Sequence, residues 1–339
     1  MIKTATIRAM VFAALIAFVS SYIVYFGFTT NYTANAFSPP SFKDQYAHQV
    51  YKYRILSQYL LTRLDSALGD RFPSKAAEMR LLLQDNHASE RFYYSYYYLN
   101  TFFMVLLSIV LVLLVDLDNS INIPKNEKSL IVFLVILLIN LTQYVVCPYD
   151  ISSYFFQLLT IFVFLKYLEK YFFTSLIVIC LLLVIATLNR ESSALTVSFL
   201  ILLTLCKGGL SKRSLFSLSP MVLSFLITYY SLRYFIKTPD PKNVTIDFVE
   251  FNLNFYINRI GILFWFVFIY FTLAIGNSKE NRLLIVAYHI ISLPYIWTCF
   301  TAGILWEVRL YMPLFLGSLF LAKVDPSSFK IRLSSLLDS

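Results

Sequence analysis

The stretch TSLIVICLLLVIATLNRESSALTVSFLILLTL, residues 174–205, decides the fold. Thr174 to Leu188 and Ala194 to Leu205 are apolar runs, and Asn189, Arg190 and Glu191 stand between them with two serines. Such runs read as membrane helices meeting at a charged turn. Charge wedged between hydrocarbon segments is costly, so Arg190 and Glu191 mark a site by default.

The rest of the chain has the same character. Of its 339 residues 58% are hydrophobic and 14% charged, and the mean hydropathy is +0.68. That exceeds what a soluble core needs and points to a polytopic membrane protein. The net charge of +9 does not point to nucleic acid, because the basic residues stand singly at the ends of apolar runs and form no stripe. Cys147, Cys180, Cys206 and Cys299 fall in or beside apolar runs without metal-ligand spacing, and read as small buried hydrophobes.

Apolar runs predict about ten spans in one transmembrane domain over residues 1–339. They lie near Ala9 to Phe28, Tyr97 to Val115, Leu130 to Val146, Tyr154 to Leu168, Thr174 to Leu188, Ala194 to Leu205, Leu215 to Phe235, Gly261 to Ile275, Leu283 to Phe300 and Leu310 to Leu321. The first is long enough to span, and Ala34-Asn35-Ala36, which imitates a cleavage site, lies well beyond its end, so it is expected to be a retained helix. The pair around Arg190 is short for a bilayer and could consist of half-helices whose junction lines a cavity. With the amino terminus inside, every inner segment carries at least two lysines or arginines: Lys3 and Arg8, Lys125 and Lys128, Lys166 and Lys170, Lys207, Lys212 and Arg213, Lys279 and Arg282, then Lys323, Lys330 and Arg332. The positive-inside rule therefore puts both termini in the cytoplasm of a cell with this protein in its inner (plasma) membrane.

That orientation sends Asp44, His48, Arg54, Asp150, Arg190, Glu191, Glu307 and Arg309 to the outer face. Their convergence from separate segments predicts one polar cavity there. Asp150 is the exception, expected to be an ordinary solvated loop charge. The first outer segment, 30–96, is too long for a connector and predicts helices lying on the membrane surface. Asp44, His48 and Tyr51 recur at helical spacing, with Tyr46, Val50 and Tyr53 as a more apolar stripe and Ser38-Pro39-Pro40-Ser41 as the opening turn. A second surface helix is expected from Ser74 to His87, and the tyrosines at 93, 94, 96, 97 and 98 read as an aromatic belt at the interface.

Asp44-Gln45-Tyr46 and Tyr53-Arg54-Ile55-Leu56 in a long first outer loop, Asn189-Arg190-Glu191-Ser192 between short helices and Glu307-Val308-Arg309 before the last helix together resemble the GT-C superfamily of membrane glycosyltransferases. Within it the chain is similar to bacterial members without a soluble domain. The resemblance covers most of the chain in topology, through motifs of a few residues each. It implies a polyprenyl-phosphate sugar donor, a glycan or glycolipid acceptor at the outer face, and a catalytic acid in the first outer loop at Asp44. Gln45 departs from the two nearby acids of many relatives.

The chemistry of the residues fits this. Inverting transfer needs a carboxylate to take the acceptor's proton, a role for Asp44, and cations for the departing lipid phosphate, a role for Arg54, Arg190 and Arg309. Glu191 and Glu307 would hold the arginines or bind sugar hydroxyls, and His48 would orient Asp44. With acids dispersed and no histidine at ligand spacing, metal-independent catalysis without a cofactor is expected. A polysaccharide polymerase or ligase would usually place its large outer loop late in the chain. A transporter predicts related halves and broken helices at mid-depth, which the 8 glycines and one-sided charges do not suggest.

Overall fold

A computed structural model describes residues 3–28, 37–47, 50–69, 88–237 and 248–329. His48, Ala34–Ala36 and the segment Ser74 to His87 fall outside them. The described residues hold fourteen α-helices and no strand. In chain order these are α1 (Thr4–Gly27), α2 (Pro39–Ala47), α3 (Ile55–Leu68), α4 (Glu90–Val115), α5 (Lys125–Leu141), α6 (Asp150–Tyr167), α7 (Phe172–Asn189), α8 (Ser193–Gly208), α9 (Lys212–Phe235), α10 (Phe248–Asn254), α11 (Tyr256–Ala274), α12 (Lys279–Ile291), α13 (Leu293–Ala302) and α14 (Met312–Lys323). Among the described residues six helices are long and apolar enough to cross a membrane, or seven when α12 and α13, bent by 53° at their junction, count as one span.

Local chemistry sets many helix ends. Ser89, Ser211 and Ser278 cap α4, α9 and α12, each accepting a backbone N–H from the first turn. Gly69 and Gly209 close α3 and α8 at φ of 55° and 57°, the left-handed region that costs a residue with Cβ.

Packing is carried by small residues and buried amides. On α1, Ala13, Ala17, Ser21 and Tyr25 recur every fourth position and are buried, while Phe12, Leu15 and Val19 point outward. This is the arrangement by which helices approach closely where lipid covers the other side. Ser21 donates to Asn140 Oδ1 at 3.1 Å, Asn140 Nδ2 donates to Ser20 at 2.7 Å, and Asn100 Nδ2 donates to the Tyr25 hydroxyl at 2.5 Å. These bonds tie α1 to α5 and α4. Tyr93 and Tyr97 are buried in the same seam, edge-on to Tyr25, and Tyr96 is buried against Phe37 and Phe42. They are helix-packing residues and not the interfacial belt that their clustering suggested. Tyr94 and Tyr98 alone of the five are only half-buried, and they line an open groove with Tyr22 and Phe26.

A short apolar helix is the most completely buried. All twelve residues of α14 are buried, so it never meets solvent or lipid. A helix of that length rises only about 18 Å, and its irregular ends are tolerated because protein surrounds them. Gly317 is needed here, since a Cβ would sit 2.6 Å from the Tyr288 hydroxyl.

The bundle has two distinct ends. At one, Asn122 N–H donates to Lys323 O (2.7 Å), Asn277 N–H to Ala322 O (3.1 Å), and Asn281 Nδ2 to Leu321 O and Val324 O. At the other lie the turns 142–149, 190–192 and 303–311, and these build the site.

The first loop departs from one continuous surface helix. α2 stops at Ala47 and the chain turns through a 3-10 segment, Val50–Tyr53, before α3. Asp44 and Tyr51 therefore do not share a helix face. Pro39 and Pro40 open α2 instead of forming a turn ahead of it, as the missing N–H of a first-turn proline allows.

Candidate functional site

Asn189 ends α7, and Arg190 leaves the helix with extended backbone (φ −162°, ψ 140°) before α8 begins at Ser193. Asn189 fixes this turn against the start of α6: its Nδ2 donates to Tyr149 O at 2.9 Å and its Oδ1 accepts from Ser152 at 3.0 Å. The Arg190 side chain, 2% exposed, is thereby directed at Asp150, the first residue of α6.

Asp150 is the centre of the cluster. It is 0% exposed, pairs with Arg190 through Nη1, and accepts from Arg309 Nη1 at 3.2 Å. Arg309 Nη2 donates to Glu307 at 2.6 Å, and Arg309 Nη1 also lies 3.3 Å from the Tyr149 hydroxyl. Beside this chain Arg54 pairs with Glu191 through both Nη2 and Nε, the latter at 3.1 Å. One ring joins the two groups. The Tyr149 centroid is 4.0 Å from the Arg54 guanidinium carbon, 5.4 Å from that of Arg190 and 5.9 Å from that of Arg309. Its electron-rich face offsets part of the cost of gathering three cations.

One sequence reading is corrected. Asp150, expected to be solvated, is buried because α6 starts inside the protein, where an unpaired arginine would otherwise be left. Arg190 and Glu191, adjacent in sequence, do not pair: extended backbone sends their side chains apart, to Asp150 and to Arg54. Glu307 and Glu191 each hold an arginine, Arg309 and Arg54. Arg54 is 6% exposed.

The turn that carries Glu307 and Arg309 is pinned from many sides. Tyr144 donates to Trp306 O at 2.7 Å and accepts from Val308 N–H at 3.1 Å; Tyr154 donates to Arg309 O at 3.0 Å and Tyr295 to Leu310 O at 3.1 Å. Asn252 Oδ1 accepts from Leu305 N–H at 3.2 Å. Gly261 lets α11 lie against this turn, since a Cβ there would collide with the Leu305 carbonyl. A side chain held by so fixed a backbone is pre-organised.

Burial and charge shape the titration of groups in these turns. Burial raises the Glu191 carboxyl, but the Arg54 guanidinium outweighs it and holds the group down at about 2. Burial pushes the Cys147 thiol up to about 11, against the opposing pull of Arg309. Burial opposes the charge on Arg54 too, and Glu191 more than restores it.

Asp44 lies on α2, outside these turns. It is exposed on α2, whose Phe42 and Tyr46 turn inward. Its helix reaches the site through rings: Tyr46 to Tyr51 at 5.8 Å, then Tyr51 to Tyr149 at 6.2 Å. Two residues carry the site that sequence reasoning missed as functional, Asp150 and Tyr149. The available signal was their position, at the head of an apolar run just as Arg190 is at the foot of one. Among the described residues no three His, Cys, Asp or Glu side chains are grouped to hold a metal ion.

No family model matches the chain, and no curated protein or solved structure matches it.

Proposed function

We propose that the chain is a multi-pass membrane glycosyltransferase of GT-C type, with about ten spans, both termini cytoplasmic and the Arg190 end facing outward. It moves a sugar from a polyprenyl-phosphate donor to a lipid-linked or surface glycan. The observation that carries this reading is the convergence of Arg54, Arg190 and Arg309 around Tyr149, all buried, with the Nε–H donors of Arg190 and Arg309 left without a partner among the described residues. Buried orphan donors on fixed guanidiniums suit the oxygens of a phosphate.

In the proposed reaction an acceptor hydroxyl attacks the anomeric carbon as the bond from that carbon to the phosphate oxygen breaks. The bonding pair leaves with the phosphate, where Arg190 and Arg309 stabilise it, and the hydroxyl proton passes to Asp44. Asp150 and Glu307 keep the two arginines aimed and charged. The exposure of Asp44 suits a base that meets an acceptor arriving from water.

A second reading has its own observation. Three guanidiniums face three carboxylates, Asp150, Glu191 and Glu307, so the cluster is already neutral and would serve as a clasp between helices. The two readings separate in purified, monodisperse Arg190→Ala and Arg309→Ala proteins titrated with a polyprenyl-phosphate sugar. Loss of a charged hydrogen-bonding partner should weaken binding by about ten- to a hundredfold, and Arg→Lys should restore it only in part. Well-folded alanine variants that bind and turn over the donor like the parent reject the phosphate role.

A further inference from the structure

The end of the bundle opposite Arg190 carries a second charged recess, unconnected with the transfer chemistry. Between α1, α4 and α5 lies a cavity of about 530 Å³. Its mouth holds Lys3, Lys125, Lys128 and Lys166 against Asp116 and Asp118, a surplus of two positive charges. Only part of this charge is satisfied internally. Lys128 is bound to both aspartates, at 3.3 Å from Asp116 and 2.6 Å from Asp118, and Thr6 donates to Asp116 at 2.6 Å. Lys3 makes a longer contact to Asp118, 3.9 Å. The surplus therefore rests on Lys125 and Lys166, both exposed.

Below the mouth the recess changes character. Its walls are Ala9, Phe12, Ala13 and Ile16 of α1 with Val132 and Phe133 of α5. Ala13 and Val132 close its inner side, at 1% and 6% exposed. Phe12 and Phe133 flank it and face outward, 62% and 39% exposed. A cationic mouth that continues into an apolar, laterally open crevice matches one kind of ligand: an amphiphile with an anionic head and an alkyl tail.

We propose that this recess binds an anionic phospholipid, its head phosphate at Lys125 and Lys166 and one acyl chain against the exposed rings of Phe12 and Phe133. The Lys128–Asp116–Asp118 cluster forms a fixed floor that orients the mouth and leaves the two exposed lysines for the head group. Basic pockets between membrane helices attract anionic head groups, most strongly in the leaflet where such lipids carry the surface charge. The site rests on the membrane placement of the chain and not on its proposed activity, so failure of one leaves the other standing.

The test uses the full-length protein in neutral detergent, with native mass spectrometry reading bound lipid. Dioleoyl phosphatidylglycerol should be retained and dioleoyl phosphatidylcholine lost. Lys125→Ala/Lys166→Ala removes only exposed side chains, so it should fold as the parent does, and it should weaken retention on the order of thirtyfold. Inorganic phosphate at equal concentration should not displace the lipid. Equal retention of the two lipids, parent-like retention by the double variant, or displacement by phosphate alone would overturn the proposal.

Discussion

Asp150→Asn is the most discriminating change in this molecule. The carboxylate has no exposed surface and is shared by Arg190 and by Arg309, the latter at 3.2 Å. The amide keeps the volume and one acceptor oxygen but removes the charge, so two buried guanidiniums then face a neutral group that can accept from only one of them. Glu307 still compensates Arg309 at 2.6 Å, whereas Arg190 loses its carboxylate. Leaving a buried cation uncompensated costs about 3–5 kcal/mol. We expect a value near the lower end, because one hydrogen bond survives. The assay is the temperature at which half the detergent-solubilised protein is lost from the monodisperse peak, and a drop of roughly 10 °C is expected. Adding a polyprenyl phosphate should then stabilise the asparagine variant more than the parent, because its phosphate supplies the missing negative charge between the arginines. A variant as stable as the parent would show that the ion network does not hold these helices. A destabilised variant on which the lipid phosphate has no greater effect would leave the clasp and remove the phosphate site.

Three further outcomes follow from the same geometry. Asp44→Asn, on an exposed position of α2, should leave the thermal midpoint unchanged and lower glycosyl transfer by about a hundredfold or more; parent-like turnover would reject Asp44 as the base. Glu191 titrates at about 2 in the folded chain against an ordinary glutamate value of 4.5, so its depressed value adds stability above pH 4.5 that fades as pH falls through about 2. Parent and Glu191→Gln should accordingly differ by a constant amount from about pH 7 to 5 and draw together below about pH 4 in the same unfolding assay; convergence already at about pH 6 contradicts the pairing with Arg54. The buried Cys147 thiol, raised to about 11, stays protonated at about pH 8 and should resist maleimide in the folded protein. A variant retaining only this cysteine would be labelled on denaturation, and fast labelling in the native state would place the turn 142–149 at the surface.

How much of this was legible in the sequence depended on the range of the interaction involved. Apolar runs are local, so α1, α4, α5, α7, α9 and α11 each overlap an expected run, although α4 begins at Glu90, ahead of the run that starts at Tyr97. The bend between α12 and α13 does not, since Ser292, Leu293 and Pro294 lie inside one unbroken apolar run. The tyrosines near residue 95 show the same limit. Composition marks them as interfacial, but Tyr93 and Tyr97 are buried against Tyr25 and Phe26 of α1, and Tyr96 against Phe37 and Phe42 of the first loop.

The site divides along the same line. Arg190 is visible because a charge between two hydrocarbon runs has no cheap place to go. Its partner is not, because Asp150 is 40 residues away in sequence and heads a helix, where a carboxylate commonly serves only the macrodipole. Burial decides between these roles. A guanidinium that remains charged inside a protein requires an anion, and adjacent Glu191 cannot supply it once the extended backbone at Arg190 has turned the two side chains apart. The charge of Arg190 thus demands a carboxylate from another helix, which makes α6 part of the site and the pairing of α6 with the 190–192 turn a condition for any ligand bound there.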